Sequence, residues 1–496
     1  MKKSLTLLFI CSLLGIQACK KDSNQEQISS KRLHASRGQN PGIFDEQGRF
    51  VILRGANYNV LGDYWQANPA LPATKPYSAE DIRLMAKYGF NCIRLLFCWS
   101  KLEPQPGQYN DAYVQQLVTV IEEAAKYDMY VLLDMHQDAW GKYIATPADS
   151  TCAYPAKGWD GAPEWATYTD GASTCMVNSS RESAPAVYHA FQNFWDNTNG
   201  IQDNCINAWK HLVAATCSYE NVLGYDLLNE PSLGYKDPEA EQLNKLTNFY
   251  GNLVTAIRST EGDPKNQHII FMENAIHYKG NGYIGLPDPS FTADQNVVAA
   301  PHHYFESIGN LPFSIEQGYG MLKTVIQGFQ TTLFIGEWGY FGNPVDIEKV
   351  KRFGAVEDAN FGSSTWWQWS QSPGDPHSIS YDGQSYTNPS LHLIELDQTA
   401  NFTGVMNNAV LQVLARPHPT AIYGTPSSLT SNSETGAMTL QANASGDGST
   451  ILWIPDFFGT PTLTGNNLVS VDLKTVEGGF WATAKVKGNY TLEVTY

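Results

Sequence analysis

Residues 221–235 read NVLGYDLLNEPSLGY. From Val222 to Leu228 the run is mostly apolar, which suits a strand buried on both faces. It then ends on Asn229, Glu230 and Pro231. Pro231 has no N–H and closes the ladder. An amide and a carboxylate delivered to the end of a buried strand mark a place where chemistry is done. The same design recurs on either side. Strand-like runs appear as FVILRGANYN, NCIRLLFCW, YVLLDMH, VLGYDLLNE, HIIFMEN, VVAAPHHYF, TLFIGEWG and GSSTWWQWS. Amphipathic helical stretches separate most of them: SAEDIRLMAKYG, DAYVQQLVTVIEEAAKYD, EAEQLNKLTNFYGNLVTAIRST and DIEKVKRFGAVEDAN. Alternation of this kind implies a parallel sheet, and eight such units imply a closed α/β barrel, a (β/α)8 TIM barrel with long insertions. The rival doubly wound sheet carries a Gly-rich phosphate loop after its first strand, and RGANYN is not one. In a barrel the strand ends meet at one face. Asn57, Arg94, His136, Asn229, Glu230, His302, Tyr304, Glu337 and Trp369 are thereby expected together there.

The chain has 496 residues and a net charge of −17, which excludes the basic surface that nucleic acid requires. It carries 13 Trp and 26 Tyr, flat faces that suit sugar rings as well as a large core. The N-terminus, MKKSLTLLFICSLLGIQAC, pairs two lysines with a short apolar segment and ends in Ala18-Cys19. It resembles a bacterial lipoprotein signal, with residues 1–19 removed up to a lipidated Cys19 that anchors the protein to a membrane, the outer membrane being the expected one. Residues 20–40 read as a flexible tether, 41–415 as the barrel, and 416–496, with its short alternating segments, as an antiparallel β-sandwich. Export permits disulfides. The pairings expected are Cys152–Cys175 and Cys205–Cys217, with Cys92 and Cys98 as buried thiols. No Cys/His spacing matches a metal site, and no cofactor is expected. The insertion at 137–184 carries Trp140, Tyr143, Tyr154, Trp159, Trp165 and Tyr168, and reads as a wall of the substrate cleft.

Glu230 and Glu337 each follow an apolar run and sit at the edge of a low-dielectric wall, where a carboxyl can be tuned. Two carboxyls facing across a cleft are what glycoside hydrolysis needs. LNEP followed by IGEWG resembles glycoside hydrolase family 5, a family of retaining barrel enzymes. That resemblance implies Glu230 as acid/base and Glu337 as nucleophile, about 5–5.5 Å apart. It further implies Arg94 holding the nucleophile, His136, His302 and Tyr304 around the sugar, Asn229 on its 2-hydroxyl, and Trp369 as the sugar platform. Glu273, in FMEN, is a decoy carboxylate or a cleft residue. Asp138 is expected to reach the sugar's outer hydroxyls, and His303 to pack.

A narrower resemblance joins LLDMHQDAWGKY, GWDGAPEWATYTDG and AFQNFWDN to the endoglycosylceramidase branch of that family, whose second domain is also a β-sandwich. It implies a retaining β-glycosidase for glycolipids or other hydrophobic glycosides; a monomer is expected. Two alternatives stay open on the residues alone: a glycanase on β-linked polysaccharide, and a carbohydrate-binding surface lipoprotein without catalysis.

Overall fold

A computed structural model describes residues 32–177, 180–276, 285–308, 312–340, 345–378 and 392–496. The lipobox and most of the expected tether lie outside these residues. No helix among the described residues is long and apolar enough to cross a membrane.

The described residues open with three short strands, β1 (His34–Ser36), β2 (Gly42–Phe44) and β3 (Phe50–Val51). Eight parallel strands follow: β4 (Arg54–Tyr58), β5 (Cys92–Phe97), β6 (Tyr130–Met135), β7 (Val222–Asp226), β8 (Ile269–Met272), β9 (Val297–Ala299), β10 (Phe334–Trp338) and β11 (Ser363–Trp366). They hydrogen-bond in the order β10-β11-β4-β5-β6-β7-β8-β9. Parallel bridges Ala299↔Leu333 and His303↔Trp338 join the two ends, so the barrel is closed. Nearly every strand residue is buried, because both faces of a barrel strand are covered, one by the interior and one by helices.

The helices α1 (Ala79–Lys87), α2 (Trp99–Leu102), α3 (Asp111–Ala125), α4 (Pro185–Trp195), α5 (Ile201–Thr216), α6 (Glu239–Glu261), α7 (Ile315–Val325), α8 (Ile347–Ala359) and α9 (Asn408–Leu414) surround it. Their starts follow local chemistry. Ser78 accepts from the Glu80 N–H at the head of α1, and Ser314 with Gln317 forms a capping box on α7. The buried stripe of α3, including Leu117, Val120, Ile121 and Ala124, is the 3.6-residue period seen in the sequence.

A β-ribbon, β12 (Ile394–Leu396) with β13 (Phe402–Met406), precedes α9. The expected sandwich follows: β14 (His418–Ile422), β15 (Thr425–Ser431), β16 (Met438–Asn443), β17 (Asp447–Pro455), β18 (Thr462–Thr464), β19 (Leu468–Val476), β20 (Gly479–Lys487) and β21 (Tyr490–Thr495). One sheet runs β15-β16-β21-β18, and the other runs β1-β2-β3-β14-β17-β20-β19.

The second sheet corrects two expected boundaries. The segment taken as tether up to residue 40 contains β1, whose register with β2 pairs His34 with Phe44 and Ser36 with Gly42. The sandwich is also not confined to 416–496, since β3 pairs with β14 through Ala421↔Val51 and Ile422↔Phe50. The edge of β14 needs a partner for its backbone groups, and the start of the chain supplies it.

The insertion after β6 is ordered around Cys152–Cys175, which forms as expected. Trp140 and Trp159 are buried, Trp165 and Tyr168 are half-buried, and Tyr143 and Tyr154 are exposed. The expected Cys205–Cys217 bridge does not form. Cys205 is a free buried thiol in the first turns of α5, with its Sγ against Met135 Sδ at 3.6 Å, and Cys217 caps the far end of that helix. Twelve helical residues span roughly 18 Å, far beyond disulfide reach. Cys92 and Cys98 are free and buried, as expected.

Candidate active site

Arg94, fully buried on β5, organises the carboxyl ends of the strands. Its Nη1 donates to Glu337 Oε1 at 2.9 Å and to Asn57 Oδ1 at 3.0 Å. Its Nη2 donates to Asn229 Oδ1 at 2.9 Å and Glu273 Oε1 at 2.8 Å, and its Nε to Asp226 Oδ2 at 2.9 Å. Asp134 lies 3.1 Å from Nη2. One guanidinium thus faces four buried carboxyls, a fork geometry that lysine could not supply. Burial pushes Asp134 up to about 6 and Asp226 up to about 7, with Arg94 pulling both back. Burial likewise lifts Glu273 to about 7 against His302 and Arg94.

Glu230 and Glu337 stand across the mouth with His302 between them. The nearest oxygens of the two carboxyls and a His302 ring nitrogen all lie within 4.8 Å of one another. His302 Nδ1 is 2.7 Å from Glu230 Oε1 and 3.4 Å from Glu337 Oε2. Tyr304 OH donates to Glu337 Oε2 at 2.9 Å. Both Glu337 oxygens are therefore met by donors.

Burial raises Glu337 to about 7, against the charges of His302 and Arg94. Burial also works to raise Glu230, but the His302 hydrogen bond and charge, then Arg181, bring it down to about 2. His302 Nδ1, held 2.7 Å from Glu230 Oε1, is the nearest source of that charge. Burial opposes charge on that ring, yet Glu273, Glu337 and Glu230 raise it well above 6.5. The three titrate together, so a proton for Glu230 is one hydrogen bond away.

The remaining predicted residues divide. Asn229 is buried, donating through Nδ2 to Gln137 O at 3.0 Å, and faces Arg94. His136 donates from Nδ1 to Asp134 Oδ2 at 2.7 Å, and burial lowers it to about 3, so the ring is neutral with Nε2 as an acceptor. That nitrogen has no hydrogen-bond partner among the described residues. Asp138 is in the site, paired with Arg181 at 2.7 Å. His303 packs against Phe305 and Phe353, as expected.

Trp369 is a correction. It is fully buried in the core, while Trp367 stacks on His136 at 5.4 Å and 14° and packs with Leu96 beside Tyr304. β11 ends at Trp366, so alternation does not carry through to 369. Trp367 N bonds Trp338 O, whereas Trp369 N bonds Asn57 O.

Sequence reasoning missed Arg181 and Asp160. Arg181 lies over the Trp159 ring at 4.3 Å and 3.7 Å from Glu230 Oε2. Asp160 is buried beside Asp138, its Oδ2 accepting from Cys98 Sγ at 3.3 Å. The only sequence signal for either was the aromatic density of the insertion. One ligand atom each from His136, Asp138 and Asp160 falls within 4.8 Å, a spacing a cation or a pair of hydroxyls could use.

A family model, Cellulase (glycosyl hydrolase family 5), matches residues 45–373. The chain belongs to glycosyl hydrolase family 5. It is a glycoside hydrolase with the barrel described above, and the expected resemblance to the endoglycosylceramidase branch is met by its relatives. A crystal structure titled endogalactoceramidase is 34% identical, covers 94% of this chain and 100% of its own, and superposes with a TM-score of 0.84. The endoglycoceramidase of Cyanea nozakii is 26% identical over 419 residues, 77% of this chain and 76% of that protein. The endo-glycoceramidase II of Rhodococcus sp. in complex with ganglioside GM3 is 22% identical, covers 92% of this chain and 99% of its own, and has a TM-score of 0.66; it shares the fold.

Proposed function

We propose that this family 5 enzyme is a retaining endo-β-glycosidase that releases intact glycans from glycosylceramide-type lipids. The observation that carries the mechanism is the Glu230–Glu337 approach, with oxygens within 4.8 Å. Retention uses carboxyls about 5–5.5 Å apart, whereas inversion needs about 6.5–9.5 Å to seat a water between them.

Glu337 attacks the anomeric carbon and forms a glycosyl ester. Glu230, supplied by His302, gives a proton to the departing ceramide oxygen. Glu230 then takes a proton from water, which cleaves the ester and restores Glu337. Arg94 and Tyr304 keep both Glu337 oxygens aimed, and the charges of His302 and Arg94 oppose the burial that favours its protonated form. Asn229 holds the 2-hydroxyl, His136 Nε2 accepts from a ring hydroxyl, and Trp367 offers its face to the sugar. Exposed Tyr143 and Tyr154 on the insertion provide apolar surface for the lipid.

The reading is tested on a panel of a glycosylceramide, a steryl glucoside, a flavonoid glycoside and a β-glucan. Intact oligosaccharide from the ceramide substrate is expected; cleavage of the glucan alone would replace it with a glycanase. Glu230→Gln is expected to lower kcat on the lipid by at least about 100-fold, the scale of a lost general acid. Full activity in that variant would overturn the assignment. The lipobox reading belongs to the same proposal: an exported, membrane-anchored monomer modified at Cys19. Cys19→Ser is expected to move the protein from the membrane to the soluble fraction of the cells; a variant that stays membrane-bound would refute the anchor.

A further inference from the structure

Glu273 follows β8 and is absent from the roles above. Its two oxygens are divided between the two halves of the acid/base machinery. Oε2 accepts from the Glu230 backbone N–H at 2.9 Å. Oε1 accepts from Arg94 Nη2 at 2.8 Å and faces His302 Nε2 at 3.3 Å. We propose that Glu273 is a positioning residue that fixes the backbone of Glu230 and places a second carboxylate against the His302 ring, opposite Glu230. The proposal rests on Glu230 being the acid/base.

Three observations carry it. Glu230 has φ +39°, a left-handed conformation that non-glycine residues adopt only when neighbours enforce it. The N–H side of that peptide is held by Glu273, and the carbonyls of Asn229 and Glu230 are held by Gln137 Nε2 at 2.7 and 2.9 Å. Second, the His302 ring has a carboxylate at each nitrogen, Glu230 at Nδ1 and Glu273 at Nε2, the arrangement that favours imidazolium. Third, a plain counterion for Arg94 would be redundant. Arg94 already meets Asp134, Asp226 and Glu337, and none of those accepts from the Glu230 N–H.

The groups facing Glu273, His302 and Glu230 are Arg94 from β5, Asp134 from β6 with His136 just after it, Asp138 and Arg181 from the insertion, Asp226 from β7, Glu337 from β10 and Tyr304 after β9. Tyr250 from α6 donates to the Glu273 carbonyl at 3.2 Å and fixes the turn. Glu273 heads the charges that raise His302.

The isosteric variant Glu273→Gln keeps an acceptor for the Glu230 N–H and removes the charge. Its kcat/KM is measured against pH on the cleaved glycosylceramide and on the matching glycosyl fluoride, whose departure needs little acid help. The expected result is an alkaline limb displaced downward by about one unit on the ceramide substrate. The ratio of its loss to the fluoride loss is expected to grow with pH, reaching at least tenfold above about pH 8. A ratio that stays flat across pH overturns the proposal, since damage to the fold lowers both substrates alike.

Should the variant not fold, 15N spectra of the parent enzyme labelled in histidine decide. His302 is expected as imidazolium at pH 7.5, and a neutral ring overturns the proposal. Failure of the underlying reading is seen separately. Glu230→Ala hydrolysing an activated aryl glycoside without azide rescue removes Glu230 as acid/base; rescue with an unchanged Glu273→Gln profile removes only the role of Glu273.

Discussion

Arg94 meets four carboxyls, and they do not all ionise comfortably beside one cation. The consequence is a stability that depends on pH in a stated direction. Glu337 is raised to about 7 in the folded protein from 4.5 unperturbed, so between those values the folded state binds more protons than the unfolded. Stability therefore falls as pH rises through that window. Asp226 and Glu273 act in the same sense, and His302, raised above 6.5, loses its contribution as pH climbs further. Glu230, lowered to about 2, acts oppositely but only below about 4.5. Glu337→Gln removes one of the strained charges. It is expected to abolish hydrolysis yet raise unfolding free energy at pH 8 by on the order of 2 kcal/mol, with little gain at pH 4. Denaturant titrations at the two pH values check this; a loss of stability at pH 8 would contradict it. Arg94→Met behaves oppositely. Unpaired buried carboxylates are expected to cost about 3–5 kcal/mol at pH 8, and less in acid where they protonate.

Among the elements, the insertion between β6 and α4 reaches the mouth from outside the barrel strands. It brings Asp138, Asp160 and Arg181 to the mouth and fixes its outer loop with Cys152–Cys175. Closing a loop of that size is worth about 3 kcal/mol in the chain-entropy account. Replacing both cysteines by serine is expected to lower the melting temperature by several degrees and to weaken binding of the lipid substrate. Unchanged melting and KM would show that the bridge is dispensable. Tyr143→Ala with Tyr154→Ala separates the loop's two possible duties. Activity on the lipid glycoside is expected to drop severalfold while a small soluble aryl glycoside is turned over as before; equal loss on both would reduce the loop to a cap.

At the scale of the whole molecule, residues 34–51 are tied both to the C-terminal domain, through β3 and β14, and to the barrel. Arg37 donates to Phe329 O at 2.9 Å and to Thr292 O and Asp294 O at 3.2 Å, and the Ala35 N–H meets Asn296 Oδ1 at 2.6 Å. A chain beginning at residue 32 is expected to melt like the parent, whereas one beginning at 47 loses β1, β2 and these bonds, and melts several degrees lower; coincident melting curves would show the segment to be passive. The barrel was legible in the sequence because burial on two faces forces continuous apolar runs, and each run ends where the backbone meets solvent and ligand. Glu230, Glu337, His302 and Tyr304 were legible for the same reason: a strand end carries its polar residue to the mouth whatever the helices do; Arg94, the third residue of β5, was named by its motif and lies deeper in the barrel. What the sequence left undecided depends on directions in space. Trp367 rather than Trp369 faces His136 because the strand stops at Trp366, and periodicity says nothing beyond a strand's last hydrogen bond. Arg181 reaches Glu230, and β1 to β3 reach β14, through contacts between residues far apart in the chain. Local pattern encodes which face of an element is apolar; only packing decides which distant side chain completes a charge network or pairs an open sheet edge.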